Sequence, residues 1–396
     1  MKKDNLWKKT KSYTKTVWAG ETDLFPYGST QPPLINSVAF QYKNLEEWVA
    51  VAEGKKSGHI YGRNTNPTVN IFEKKMAILE GAERGIAFSS GMAAISNVFF
   101  ALLKPGDRIV IGKDTYGGTS KLLLDFLPKF KIDVVFCDTT DLKSFENEIS
   151  KKCQILYLET PTNPTLKIQD IAKLSRSAKK CGALVVVDNT LATPINQNPL
   201  KIGADIVLHS ATKFLCGHSD ALGGVVCTKN DLANRIYHFR EINGACLDPY
   251  PAFLINRGIK TLGVRVDRHN NNALELARWL QNHKKIENVF YPGIKSHEGF
   301  ITASKQMRGY GGVLSFSIKD TDKIASFLSS LQFSHNAAHL GSVDTIVGPP
   351  KTTSHVENSP DERKSLGIPE NLIRCSVGIE HIDDIKRDFD KALIKT

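Results

Sequence analysis

"VLHSATKFLCGHSD" (Val207–Asp220) is the stretch on which the reading of this chain turns. An apolar run delivers two hydroxyl residues, Ser210 and Thr212, and then a lone lysine, Lys213, before glycine and polar residues take over. A lysine that only solvates a surface needs no such approach. One steered to the end of a buried strand loses part of its hydration, which keeps the amine neutral enough to attack a carbonyl.

Similar apolar runs recur upstream and just downstream: "DRIVIG", "DVVFCD", "QILYLETP", "ALVVVDNT", "DIVLHS" and "GGVVCT". They are continuous rather than alternating, which predicts strands buried on both faces and a mainly parallel sheet with helices outside. Helical segments separate several of them, among them "SKLLLDFLPKF" and "IQDIAKLSRSAKKCG". "NIFEKKMAILEGAE" has helical period and stops near Gly81, "GIAFSS" is a short strand, and "GMAAISNVFFALL" is a helix capped by Ser89 or Ser90. Residues 1 to about 60 are punctuated ("FPYGSTQPPLINS") and read as an irregular arm. A long helical stretch, "NNNALELARWLQNHKK", precedes a smaller set of elements: "GGVLSFSI", "DKIASFLSSL", "NLIRCSVGIE" and "IDDIKRDFDKAL". The expectation is an α/β chain with an arm over 1–60, a large domain over 61–259 and a smaller α+β domain over 260–396.

Composition bounds the function. At 396 residues, 41% hydrophobic and 23% charged, the chain has material for two packed cores. No apolar run approaches membrane-spanning length, and no apolar segment follows the basic start "MKKDNLWKKTKSY", so neither a membrane span nor a signal peptide is expected. Seven scattered cysteines without CxxC predict reduced thiols and a cytoplasmic protein. The net charge is +11, from 52 Lys and Arg against 41 Asp and Glu. The lysines are dispersed rather than blocked with aromatics, which predicts a solvated basic surface and no nucleic-acid partner.

Functional groups in a parallel sheet collect where the strands end. "IAFSSGMAA" sets Ser90, Gly91 and Met92 at a strand-to-helix junction, where free N–H groups favour an anion. "LVVVDNT" ends on Asp188, which either structures a turn or holds a protonated ring nitrogen. Lys213 follows 25 positions later. "DTYGGT" supplies Tyr116, as core or as a ring stacked on a cofactor, and "YLETPTNPT" brings Glu159 and Asn163 to another strand end. An anion seat, then a strand-terminal acid, then a strand-terminal lysine is what pyridoxal phosphate needs: a Schiff base, a protonated pyridinium and a held phosphate.

The motifs "YGRNTNPT", "SSGMAA", "DTYGGT", "LETPTNPT", "VVVDNT", "HSATK" and "LIRCSVGIE" together resemble the pyridoxal-phosphate enzymes of Cys/Met metabolism, from about residue 30 to the C-terminus. The resemblance implies an aspartate-aminotransferase-like (fold type I) architecture, a homotetramer built from tight dimers, and small amino-acid substrates. It implies Lys213 as the Schiff-base lysine, Asp188 as the pyridinium partner, and Tyr116 as the ring-stacking tyrosine that assists proton traffic. Gly91, Met92, Ser210 and Thr212 match phosphate ligands, and Tyr61 and Arg63 match a pair reaching the neighbouring subunit's phosphate. Asn163 matches the asparagine near the ring hydroxyl, and Arg374 the arginine that grips the substrate carboxylate.

The specificity positions depart from the family pattern. Lys121 stands where many members carry an arginine after "YGGT", and the frequent "SLGG" is here "HLGS", with Ala338 and His339 ahead of Leu340. Gly118 stands where methionine γ-lyases typically place a cysteine, which argues against that member. Cationic Lys121, set to meet a distal carboxylate, favours cystathionine γ-synthase-like replacement on an O-acylhomoserine by cysteine. Cystathionine γ-lyase and O-acylhomoserine sulfhydrylase are the enzyme alternatives. A metal site at His335, His339, His355 and Asp344 lacks HExxH or paired-cysteine spacing, so no metal is expected. A nicotinamide dehydrogenase lacks its GxGxxG, and an inactive basic scaffold would not need both Asp188 and Lys213.

Overall fold

The computed structural model describes residues 2–356 and 358–395. Residues 1, 357 and 396, which the ranges 1–60 and 260–396 include, lie outside the described residues. The Val/Ile/Leu runs form a seven-stranded sheet: β1 (Arg84–Phe88), β2 (Arg108–Gly112), β3 (Asp133–Cys137), β4 (Ile155–Glu159), β5 (Leu184–Asp188), β6 (Ile206–Ser210) and β7 (Gly224–Thr228). Its order is β1-β7-β6-β5-β4-β2-β3. Strands β2 to β6 pair in parallel, while β7 runs antiparallel to both β6 and β1. The segment from 211 to 223 carries no crossover helix, so β7 returns against β6.

Alternate residues of each strand serve opposite cores. In β2, Ile109 and Ile111 pack with Ile95, Val98 and Phe99 of the helix Gly91–Leu102. Val110 turns the other way, toward Phe145 and Ile149 of the helix Leu142–Ser150 and Leu174 of the helix Ile171–Lys180. Each such fully buried aliphatic stabilises the sheet by roughly 1.5–3 kcal/mol. This two-sided burial is why the runs do not alternate.

A second sheet, β8 (Ile286–Phe290), β9 (Val313–Ile318), β10 (Ile346–Gly348) and β11 (Leu372–Ser376), is antiparallel throughout in the order β10-β11-β9-β8. Leu314 and Phe316 of β9 and Ile373 of β11 pack against Phe389 and Leu393 of the helix Ile382–Ile394. The fold is therefore α/β, with a mostly parallel large sheet and a smaller antiparallel one.

Three features differ from the sequence expectation. The first sixty residues contain the helices Lys2–Lys9, Ser12–Trp18 and Leu45–Ala52. Ser12–Trp18 has little apolar period; instead the buried Lys75 Nζ donates to the Thr16 carbonyl at 3.1 Å, neutralising the helix's C-terminal end from another element. "SKLLLDFLPKF" is not one helix but a helical turn, a wide turn (Leu122–Phe126) and a tight one (Leu127–Phe130), because Pro128 cannot donate within it. The long helix begins at Leu262, earlier than its periodicity predicts, and ends at Gln281.

Candidate active site

The polar strand ends fall in register. Glu159 of β4 pairs with Asp188 of β5, and Asp188 with Leu208 of β6, so the carboxylates and the turn after Ser210 share one edge of the sheet. A cleft opens there. Of the residues expected at the site, Gly91, Met92, Tyr116, Asn163, Asp188, Ser210, Thr212, Lys213, His339, Leu340 and Arg374 line it.

Lys213 sits on a turn that closes immediately. The Thr212 hydroxyl accepts from Gly223 N at 3.1 Å, and Gly217 N donates to the Lys213 carbonyl at 2.8 Å. Its amine lies 3.2 Å from His339 Nδ1. Burial, aided by the charge of Arg374, holds that amine down to about 8. His339 is held down to about 4 by burial and by the charges of Lys213 and Arg374, so its imidazole is neutral at pH 7.

Arg374 comes from β11 of the other sheet and is 4% exposed. Its guanidinium donates to Asn163 Oδ1 at 3.3 Å and to the His339 carbonyl at 2.8 Å. Burial lowers it to about 10. Among the described residues, neither Arg374 nor Lys213 is paired with a carboxylate. A buried guanidinium with neutral acceptors only is set for a planar anion.

Asp188 accepts from Thr190 N at 3.0 Å and from the Tyr157 hydroxyl at 3.3 Å. Burial pushes its carboxyl up, against the bonds from Thr190. Glu159 is pushed well up by burial and then by the charge of Asp188, and it accepts from Tyr116 N at 2.8 Å. One acid thus faces the cleft floor while the other fixes the tyrosine's backbone.

At the sheet edge Ser90 caps the helix Gly91–Leu102, its side chain accepting from Ala93 N at 3.1 Å. Gly91 opens that helix, and a Cβ on it would lie 2.8 Å from Ser210 Cβ. Only glycine brings the first-turn N–H groups this close to β6. Gly118 has an equally definite neighbour: a Cβ there would lie 2.8 Å from Tyr116 Cε1 and 3.1 Å from Met92 Sδ. A cysteine would displace the tyrosine.

Three expected residues stand outside this cleft. Tyr61 is 45% exposed, with the Arg63 guanidinium 5.7 Å from its ring centroid. Lys121 ends the short helix Gly117–Lys121 and is not among the lining residues. Its charge acts on Glu362, whose carboxyl is held down first by the Ser359 backbone N–H. Conversely, Thr190, Leu222, Thr353 and Ser354 line the cleft without having been singled out. The "DNT" turn carried a signal for Thr190, whose hydroxyl accepts from Ser210 N at 2.8 Å; "KTTSH" carried none. His335 pairs with Asp344 at 3.0 Å, and no group of three metal-ligating residues occurs among the described residues. No helix among them is long and apolar enough to cross a membrane.

This donor set fits pyridoxal phosphate. The helix N-terminus and Ser210 would take the phosphate, Asp188 the ring nitrogen, and the depressed amine of Lys213 the aldehyde. Comparison with known proteins supports the cofactor and the family. Cystathionine gamma-lyase of Bacillus subtilis is 41% identical over 341 residues, 86% of this chain and 90% of that one. L-methionine gamma-lyase of Fusobacterium nucleatum subsp. nucleatum is 40% identical over 373 residues, 93% of this chain and 94% of that one. The crystal structure of cystathionine gamma synthase from Xanthomonas oryzae pv. oryzae in complex with cystathionine superposes with a TM-score of 0.93 at 34% identity, covering 98% of both proteins. The family profile described as Cys/Met metabolism PLP-dependent enzyme matches residues 13–394, and the chain belongs to that family of pyridoxal-phosphate enzymes.

Proposed function

We propose that this enzyme breaks a C–S bond in the side chain of an amino acid by γ-elimination, with cystathionine as the first substrate class. The observation that carries the amino-acid part is Arg374, a buried guanidinium with no carboxylate partner among the described residues, in the same cleft as the depressed amine of Lys213. The sequence expectation placed γ-replacement first because of Lys121. That residue lies outside the cleft lining, and the two relatives named above by sequence are lyases, so elimination takes precedence here.

In this reading Arg374 holds the substrate carboxylate, and Asn163 fixes the guanidinium through its Oδ1. Asp188 holds a positive charge at the cleft floor, a role in which its raised pKa falls back as the partner arrives. Bound pyridoxal phosphate supplies the electron sink for charge left on the substrate carbon. Lys213 Nζ takes the Cα proton and carries protons between Cα and Cβ, which a neutral amine near pH 8 does well. Tyr116, its backbone held by Glu159, covers the cleft. With water, cystathionine then yields cysteine, 2-oxobutanoate and ammonia.

Replacement on an O-acylhomoserine by a thiol is the second reading, favoured by the likeness to the γ-synthase structure. Incubation with cystathionine, and separately with O-succinyl- and O-acetylhomoserine with and without cysteine, tests both. Release of cysteine and 2-oxobutanoate supports elimination. Cystathionine made from an acylhomoserine and cysteine would replace it with the second reading, and pyruvate with homocysteine would move the cleavage to Cβ.

The exposed pair Tyr61 and Arg63 leads us to propose that it completes the phosphate site of a neighbouring subunit. Mixing Arg63→Ala and Lys213→Ala subunits restores part of the activity through hybrid dimers in that case. No complementation between subunits shown to exchange would count against it. The divisions near residues 60 and 260 are likewise proposals, for which limited proteolysis should cut first at those two places.

A further inference from the structure

We propose that Arg265 is the positioning residue for Lys213, holding the turn on which that lysine stands at a fixed place relative to Arg374. The proposal rests on the roles given above to Lys213 and Arg374, and not on which side-chain bond of the substrate breaks.

Lys213 carries its amine on a flexible side chain, so the aim of that amine depends on the turn 211–216 beneath it. Cys216 N donates to the Ala211 carbonyl at 3.0 Å and Gly217 N to the Lys213 carbonyl at 2.8 Å. Neither bond reaches the Phe214 and Leu215 carbonyls, and among the described residues no backbone N–H of a turn or loop does. Buried carbonyls need donors. Arg265 supplies them: Nη1 donates to the Phe214 carbonyl at 2.8 Å and Nη2 to that of Leu215 at 3.3 Å. Nη2 also donates to the Gly258 carbonyl at 2.8 Å, and Nε to the Thr261 hydroxyl at 3.1 Å.

Arg265 is buried and has no carboxylate partner among the described residues. Burial lowers its guanidinium to about 10, so it stays charged at pH 7. A rigid fork serves carbonyls of two segments at once, which a single ammonium does poorly. The turn makes room for it. Gly217 stands at φ +75°, and a Cβ there would collide with Arg265 Nη1.

The same helix, Leu262–Gln281, also holds the strand of Arg374. One turn past Arg265, His269 Nδ1 donates at 2.7 Å to the carbonyl of Val377, which lies just beyond β11. The His269 ring meets Phe214 edge-on, with centroids 5.3 Å apart. Further along, Ala273, Leu276 and Leu280 join the core of the four-stranded sheet. One helix thus grips the turn of Lys213 through Arg265 and the strand end after Arg374 through His269. It sets the distance between the amine that takes the Cα proton and the guanidinium that holds the carboxylate. In the resting enzyme the bond to the cofactor also fixes Nζ, but a freed lysine is aimed by its turn alone. A misplacement of about 1 Å costs about 100-fold in rate.

Arg265→Gln and Arg265→Lys test the proposal on the cofactor-loaded enzyme. Amide hydrogen exchange of the peptide 211–217, read by mass spectrometry, quickens about 10-fold in Arg265→Gln, because bonds from a charged donor are lost. Cα hydrogen–deuterium exchange of L-alanine, which has no leaving group, falls about 100-fold per cofactor-bearing site. The inhibition constant of propanoate, a carboxylate without an amino group to displace Lys213, stays within about 3-fold. Arg265→Lys, which keeps the charge without the fork, falls between the glutamine variant and the wild type. A merely structural role would reduce the number of sites that hold cofactor and leave the per-site exchange rate at its wild-type value, and that result would overturn the proposal. Unchanged amide exchange, propanoate binding weakened as much as alanine exchange, or a lysine variant no better than the glutamine one would overturn it too. Should Arg265→Gln not fold, Thr261→Val removes the hydroxyl that accepts from Nε and slows alanine exchange about 3-fold. A wild-type rate in that variant counts equally against the proposal. If the wild type leaves cystathionine intact, the reaction proposed above falls, while the amide and alanine measurements still decide the place of Arg265.

Discussion

Two lysines of this enzyme, Lys75 buried and Lys213 half-buried, have opposite surroundings. Lys75 is fully buried in the helix Pro67–Glu80, and its Nζ sits 2.6 Å from Glu21 Oε1. Glu21 in turn binds Lys260, and the Thr16 carbonyl accepts from Lys75. Burial lowers the Lys75 amine while Glu21 opposes that effect. Among the described residues Lys213 has no such carboxylate; its polar neighbour is the neutral ring of His339. A buried cation closed by its own carboxylate ties separate segments together. One left open keeps its charge, or its lone pair, for a ligand.

Substitutions on the two sides should separate these roles. The largest effect is expected from Lys213→Ala, which abolishes the visible band of the lysine-bound cofactor and lowers turnover about 10⁴-fold. A variant that kept both band and turnover would remove Lys213 from the centre of the site. Glu21→Ala leaves Lys75 charged and unpaired in the interior and costs about 3–5 kcal/mol of stability in denaturant unfolding. Per-molecule activity at low temperature should persist, since neither residue lines the cleft. A kcat loss without destabilisation would reverse the comparison.

Arg374→Leu keeps the fold and lowers kcat/KM for amino acids about 100-fold, through loss of a charge-assisted carboxylate contact. Because the Arg374 charge also lowers Lys213, this variant moves the amine upward, toward ordinary lysine. A pH titration of cofactor uptake by the cofactor-free variant reads that shift directly.

The smallest effect concerns pH alone. In the cofactor-free protein the Lys213 amine titrates at about 8 folded, against 10.5 for an ordinary lysine. The cost of burying its charge is fully present below pH 8 and is relieved as pH rises from about 8 to 10.5. Stability of the cofactor-free protein therefore gains an upward contribution across that window, and Lys213→Met removes it. Identical stability-against-pH slopes for the two proteins would show that Lys213 is ordinary.

The contrast also explains what the sequence made legible. Strands β2, β4, β5 and β6 were readable because two-sided burial demands uninterrupted apolar runs, and Asp188 and Lys213 stood out as polar residues at or just past their ends. Glu21 and Lys75 carried no such mark: each looks like a surface charge until the helix Ser12–Trp18 folds onto the helix Pro67–Glu80. His339 was visible as an unusual residue, but its distance to Lys213 depends on a loop between elements of the smaller sheet. Lys121 shows the reverse limit, since residue type and spacing favoured it while it ends the short helix Gly117–Lys121 off the cleft lining. Local periodicity reports which face is buried; long-range juxtaposition is settled only when the layers pack.

Lys213 follows a strand of the seven-stranded sheet, whereas Arg374 lies on a strand of the four-stranded one. An amino-acid ligand that reaches both acts as a clasp across two separately built layers. By mass action, ligand at about one hundred times its dissociation constant adds about 2.7 kcal/mol to the state in which both layers are folded. A phosphate-sized anion at Gly91 and Ser210 touches only the larger sheet and does not close that clasp. Thermal melts should therefore become more cooperative with an unreactive amino acid than with inorganic phosphate, making substrate supply a determinant of how long the enzyme survives as well as how fast it works.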